Sequence, residues 1–317
     1  MAQHKAGAPS ILGLMVTRGS RWVIHSWLQR HVAMLELLAV LDGSPPGSRD
    51  ARWTEHHCSL YSNVHYRLEQ SENLTSPTDQ TARDSATSIL RRMGVALDGR
   101  WIFLAHPDEF FVQDLRELIV SMAARDPRAT VVLFDILYAM PTPEERDSIN
   151  RTSRDDATDF SIVDHLTHCD ALFPFREPRL FRWTPGTRWG TRHGLTTPQV
   201  HPGHRPWPTA RDAALRHTPF YVHFKVHDFD VDAVELRSDR EHGGAWVAFR
   251  SSGFQTGLAR HRAHGSRFRP SSASDAWHYY ERADRPPSDI RGEIRKRCAG
   301  GALPRCRVPW RAGAHFS

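Results

Sequence analysis

The chain has 317 residues, 39% of them hydrophobic and 25% charged, with a formal net charge of +6. That is the composition of an ordinary globular protein of one large or two modest domains, and it excludes a disordered polyelectrolyte. No apolar run approaches the ~18–20 residues that cross a bilayer, and the first residues lack an apolar leader core, so the sequence is expected to be cytoplasmic without a membrane span.

Residues 1–9 are small and polar and read as a flexible N-terminal tail. Ile11–Thr17 is a continuous apolar run of strand length. Residues 20–32 place Trp22, Val23, Trp27 and Leu28 at helical spacing. Residues 35–41 form a second apolar strand that stops at the turn cluster Asp42-Gly43-Ser44-Pro45-Pro46-Gly47. This β-α-β opening predicts a parallel sheet with right-handed crossovers. A helix is expected over residues 79–93, with Gly94 as its stop, and a strand over 100–105 that runs into His106-Pro107-Asp108-Glu109. Residues 114–125 read as a helix and 130–138 as a strand. Residues 141–159 read as an exposed loop or short solvated helix, 179–183 as a strand, and 184–208 as a long functional loop rich in Pro, Gly, Trp and His. Residues 220–224 are strand-like, and helices are expected over 231–238 and 275–282.

Residues 241–317 hold 14 Lys and Arg against 6 Asp and Glu, while residues 1–240 hold 28 against 30. The positive excess therefore lies wholly in an Arg-rich C-terminal extension, and the domain organisation expected is tail 1–9, an α/β domain 10–240 and basic extension 241–317. That extension reads as a solvated tail, as an acceptor or peripheral anionic-membrane contact, or as a nucleic-acid patch in which Trp277, Tyr279 and Tyr280 stand near Arg282 and Arg285. Four scattered cysteines without paired C-x-x-C units argue against structural zinc and fit a reducing compartment.

Ligands of open α/β sheets bind at the carboxyl ends of strands. Asp42 and the pair Asp108-Glu109 both follow buried strands, where a carboxylate can hold a divalent cation and a diphosphate. Each has a second reading: Asp42 as a turn residue, and Asp108-Glu109 as carboxylates at a helix N-terminus. His223 and His227 are four apart, but on a strand that spacing does not converge on one metal. His223 alone reads either as a metal or diphosphate ligand or as a core histidine, and Lys225 as a phosphate contact or a solvated lysine. His201-x-x-His204 reads as loop.

Taken in order, these motifs resemble those of family-2-type glycosyltransferases with a GT-A fold. The opening strand, the Trp27 helix and Val40-Leu41-Asp42-Gly43-Ser44 are similar to that family's start. Thr81-Ala82-Arg83-Asp84 resembles its Ala-Arg-Asn segment, and His106-Pro107-Asp108-Glu109-Phe110 its Asp-x-Asp-Glu-Phe motif. Arg179-Leu180-Phe181-Arg182, Pro185-Gly186, Trp189 and His193 resemble the downstream segment, and His223-Phe224-Lys225 a later strand. The departures are Thr17-Arg18-Gly19 where many relatives carry Asn-Glu, His106 in place of the first Asp, and Gly194 where a Glu often follows the His.

The resemblance implies a GT-A-like (Rossmann-like) α/β fold, with a mixed, mostly parallel sheet flanked by helices. It implies inverting glycosyl transfer from a UDP- or GDP-sugar to an acceptor glycan or small molecule. Donor nucleotide binding would fall to Thr17, Asp42, Ser44, Arg83 and Asp108. Mn²⁺ or Mg²⁺ would be held by His106, Asp108 and His223, the acceptor by Trp189 and His193, and Asp164 or His193 would serve as base. The competing readings are a degenerate domain that binds nucleotide or sugar without turnover, a nucleic-acid-binding protein driven by the basic C-terminus, and a zinc hydrolase.

Overall fold

The computed structural model describes residues 9–21, 23–69, 80–139, 145, 163, 166–170, 176–185, 187–189, 198–199, 205–208, 218–224, 288–299, 304 and 306. The chain divides into two compact units. The first comprises Met1–Asp135, Arg176–Tyr221 and Lys296–Pro309, and the second Ile136–Phe175, Val222–Arg295 and Trp310–Ser317.

The first unit opens with β1 (Ile11–Thr17), α1 (Ile24–His31), a 3-10 turn (Val32–Met34), β2 (Leu37–Asp42), α2 (Arg49–Ser59) and β3 (Val64–Leu68). It continues through α3 (Gln80–Arg92), β4 (Trp101–Ala105), β5 (Glu109–Phe111), α4 (Leu115–Arg125) and β6 (Ala129–Ala139), whose last residues belong to the second unit. The second unit contains β7 (His168–Asp170). The chain then forms β8 (Arg176–Arg182), β9 (Arg188–Trp189), β10 (Pro198–Gln199), β11 (Arg205–Trp207), β12 (Phe220–His223), β13 (Ser288–Asp289) and α5 (Ile290–Cys298).

In the first unit the strand order is β6-β8-β4-β1-β2-β3. The contacts β4–β1, β1–β2 and β2–β3 are parallel, and β8 runs antiparallel to both β4 and β6. All residues of β1 and β4 are buried, as expected of parallel strands covered on both faces. Leu12, Leu14, Val16, Ala39, Leu41, Ile102 and Leu104 share one face and pack with Ala86 and Leu90 of α3. By strand alternation Phe103 faces the other side, where Trp27 of α1 stacks at 6.3 Å. The result is the expected α/β architecture, a mixed, mostly parallel sheet flanked by helices. In the second unit, β7 pairs antiparallel with the end of β6 and with β13.

Local chemistry explains the boundaries. Ser48 caps α2 by accepting from the Ala51 amide at 3.1 Å, and Asp114 caps α4 through the Arg116 and Glu117 amides. Gly94 ends α3 at φ 75°, while the Val95 amide reaches back to Leu90 O. Three expectations need correction. Within residues 184–208, read as loop, β9 and β10 form an antiparallel pair and β11 lies parallel to β6. Glu109 begins a strand, so Asp108-Glu109 is not a helix start. Cys298 and Cys306 are joined in a disulfide with Cα atoms 6.1 Å apart, where reduced thiols were expected; Cys58 and Cys169 are free and buried. The helices expected over 231–238 and 275–282 lie outside the described residues. Among the described residues, no helix is long and apolar enough to cross a membrane.

Candidate functional site

Chain direction reverses around β1. From β1 the chain proceeds to β2 and β3 on one side, then returns to place β4 on the other. Such a switch point opens a crevice beyond the carboxyl ends of the two central strands. Here the switch point falls between β1 and β4, whose carboxyl ends lead into the loop after β1 and the turn after β4.

The loops after β1 and β2 are stapled together. The Gly43 amide donates to Thr17 O at 2.8 Å, and the Gly19 amide donates to Ser44 Oγ at 3.0 Å. Gly19 has φ 65°, a left-handed conformation that glycine adopts without steric cost. The Thr17 and Ser20 hydroxyls are in contact. Thr17 is level with Asp42 in the ladder, and Thr17, Asp42 and Ser44 are all buried.

Asp42 is the hub of this end. Its Oδ1 accepts from the Ser44 amide at 2.9 Å, and its Oδ2 accepts from Tyr66 Oη–H at 3.1 Å. Burial, reinforced by the Asp42 charge, holds the Tyr66 hydroxyl well above its ordinary pKa and pushes the Cys58 thiol up to about 12. Both therefore stay protonated beside the carboxylate. Asp42 orders the loop and wall around it rather than presenting its oxygens to solvent.

The turn after β4 closes when the Glu109 amide donates to His106 O at 3.1 Å, and the chain then enters β5. His106 and Asp108 are half-buried; Glu109 is fully buried. Two side chains of α1 fix the β5 backbone. Trp27 Nε1–H donates to Glu109 O at 2.9 Å, and the Phe111 amide donates to His31 Nε2 at 3.0 Å. His31 therefore carries its proton on Nδ1, which donates to Trp27 O at 2.9 Å. Burial lowers its pKa to about 4, which keeps the ring neutral and able to accept.

The Glu109 carboxylate is held by Arg179 in a bidentate pair, with Nε to Oε2 and Nη2 to Oε1 both at 2.6 Å. Arg179 also meets Glu177, and Tyr221 Oη–H donates to Glu177 at 3.1 Å. Asp108 is thus the carboxylate at the mouth of a turn whose next residue is anchored by backbone and side chain alike.

Few of the remaining expected residues fall among the described ones. Arg83 lies in α3 and Trp189 in β9, but their side chains are outside the described set; Asp164, His193, Lys225 and His227 lie outside it altogether. His223 is the half-buried last residue of β12, in the second unit. Among the described residues no group of three His, Cys, Asp or Glu side chains that could hold a metal is found. Glu109 is already committed to Arg179. Asp108 and His106 fit only an ion that takes most of its ligands from substrate oxygens and solvent.

Tyr66, His31 and the pairing of Glu109 with Arg179 were not foreseen in the sequence. The i, i+4 placement of Trp27 and His31 on one helix face was the available signal for part of this.

No family model matches the chain, and no curated relative matches it in sequence. The solved structure of 4-diphosphocytidyl-2C-methyl-D-erythritol synthase is similar over 55% of this chain and 74% of its own, with 12% identity and a TM-score of 0.31. The apo structure of the bifunctional glycosyltransferase WbbM is similar over 48% of this chain and 26% of its own, with 12% identity and a TM-score of 0.23. The chain thus spans about a quarter of WbbM's length, and likeness at this distance assigns no activity.

Proposed function

We propose that the chain is a transferase that uses a nucleotide-diphosphate sugar and moves the sugar to a hydroxyl acceptor. One observation carries the reading: the switch point between β1 and β4 joins stapled polar loops to an acid-bearing turn. Parallel α/β sheets bind phosphorylated nucleotides at such a place. The motif order from Asp42 to His223 narrows the class to glycosyl transfer.

The acceptor oxygen attacks the anomeric carbon as the bond to the diphosphate oxygen breaks, with inversion, and its proton passes to a general base for which Asp164 and His193 are the candidates. Asp42, through Ser44 and Tyr66, holds the loop after β2; Trp27, His31 and Arg179 hold the turn that carries Asp108. Mn²⁺ or Mg²⁺, held by Asp108 and His106 together with phosphate oxygens, would neutralise charge on the leaving diphosphate.

Calorimetric titration of UDP and GDP, with Mn²⁺ and in EDTA, tests the reading. Micromolar binding of one nucleotide is expected, with Asp108→Ala removing whatever gain Mn²⁺ gives. Binding of neither nucleotide to the folded protein overturns it. A second reading is a domain that binds without turnover. It is favoured by His106 in the first acidic position and by the internal commitment of both Asp42 oxygens. Nucleotide binding without donor hydrolysis or transfer would select it.

A further inference from the structure

We infer that His25 of α1 and His57 of α2 form a site for one borderline transition-metal cation, of the class of Zn²⁺ and Ni²⁺, that clamps the two helices together. The inference does not rest on the nucleotide-sugar reading, and none of its residues belongs to that site.

The two helices present facing stripes. Arg21 lies 3.5 Å from Asp50. Four residues on from Arg21 and seven on from Asp50, His25 meets His57, with Nδ1 atoms 3.0 Å apart and ring centroids 4.4 Å apart. Spacings of four and seven return to the same side of a helix. Both rings stand on helices rather than loops, which fixes their separation. His57 is buried and packed edge-on by its neighbours, Trp53 at 4.8 Å and His56 at 5.2 Å. His25 is half-buried and Gln29, one turn further on, is exposed, so solvent reaches the pair from that side.

The facing atoms set the chemistry. Neutral imidazole nitrogen is a favoured ligand of borderline cations, with Zn–N bonds of about 2.0–2.1 Å. Two such bonds at a tetrahedral angle put the nitrogens about 3.4 Å apart, so the pair has to open by only a few tenths of an ångström. With an ion on both Nδ1 atoms, each ring carries its proton on Nε2. His25 Nε2 lies 2.8 Å from Gln29 Nε2, and a half-turn of that amide offers its oxygen as acceptor. Such an outer hydrogen bond orients a ligating imidazole. Trp53 Nε1 and Thr54 Oγ1, about one turn before His57 on α2, are buried and lack a hydrogen-bond partner among the described residues. Buried polar atoms call for a partner, and water on a bound ion supplies one. The described residues hold no group of three His, Cys, Asp or Glu side chains that could hold a metal, so the ion takes two ligands from the protein and the rest from solvent.

The test is calorimetric titration of the full chain with ZnCl₂ and NiCl₂, on wild type, His25→Gln, His57→Gln and the double variant, each checked for folding by circular dichroism. One equivalent should bind the wild type and be weakened about 10-fold or more in either single variant, with no further loss in the double. Ni²⁺ should also raise the thermal midpoint of the wild type by more than that of any variant. Ions held elsewhere, at His106 and Asp108 included, persist in every variant and cancel in the comparison. If His57→Gln fails to fold, His25→Gln, a change at a half-buried position, decides alone. Binding and a midpoint shift that His25→Gln leaves intact, or losses that add when both residues are changed, overturn the inference and leave the contact an interhelical hydrogen bond. Either result leaves the transferase reading where it stood.

Discussion

Arg179 sits 3% exposed between two carboxylates, and its guanidinium fork is the partner of the fully buried Glu109. Removing one member of a buried pair strands the other's charge, which costs about 3–5 kcal/mol. Arg179→Met should therefore lower the unfolding free energy from denaturant titration by that order, and the double change with Glu109→Gln should recover much of it; equal loss in both would show that the pair does not act as a unit. His31 makes a second prediction at this scale, set by pH. Its folded pKa of about 4 lies below the unfolded 6.5, so the unfolded chain binds the extra proton between those values. The stabilisation is full above about pH 6.5 and is lost as pH falls towards about 4, amounting to roughly 3 kcal/mol over that window. Urea unfolding between pH 4 and 7 should be steeper in pH for wild type than for His31→Gln. Parallel curves would mean that His31 is not held neutral.

The central strands were legible because both their faces are covered, which turns a parallel strand into an unbroken apolar run. β1 matches its predicted bounds, and β2 and β4 begin within two residues of theirs. α2 was illegible for the opposite reason. Its buried side chains are Ala51, Thr54, His57 and Cys58, a face too polar to mark a helical period. β3 lies at the edge of the first unit's sheet with no fully buried residue, so it lacks both patterns. Asp42 and Asp108 could be picked out because they follow strands. Tyr66 and Arg179 could not, because their partners lie 24 and 70 residues away and only the closed sheet brings them together. Within β1, Gly13 provides a test of how tightly these elements pack. A Cβ there would come within 2.6 Å of Leu38 Cδ1 and 2.8 Å of Leu35 Cδ1. Gly13→Ala should destabilise by about 1–3 kcal/mol through overpacking, and Leu38→Val in the same chain should relieve part of it. A neutral Gly13→Ala would mean that the Leu35 and Leu38 side chains have room to turn aside.

At the scale of the whole chain, the basic excess of residues 241–317 was visible by counting, but the covalent link inside that region was not. Four cysteines without a metal spacing gave no sign that two of them pair. Cys298 ends α5, and Cys306 bridges to Gln113, whose Oε1 accepts from the Phe220 amide at 3.3 Å. The disulfide closes a short loop, with a sequence separation of 8, and both cysteines belong to the first unit. Chain-entropy reasoning gives such a loop about 2–3 kcal/mol. Protein prepared without reductant and alkylated after unfolding should carry label on Cys58 and Cys169 alone, and reduction should lower the thermal midpoint. Label on all four cysteines, or a midpoint indifferent to reductant, would show that the pair does not form. The result bears on where the protein works, because cytosolic thiol buffers keep such pairs open, whereas an oxidising compartment keeps them closed. If the pair forms only under oxidising conditions, the cytoplasmic expectation drawn from scattered cysteines loses its basis.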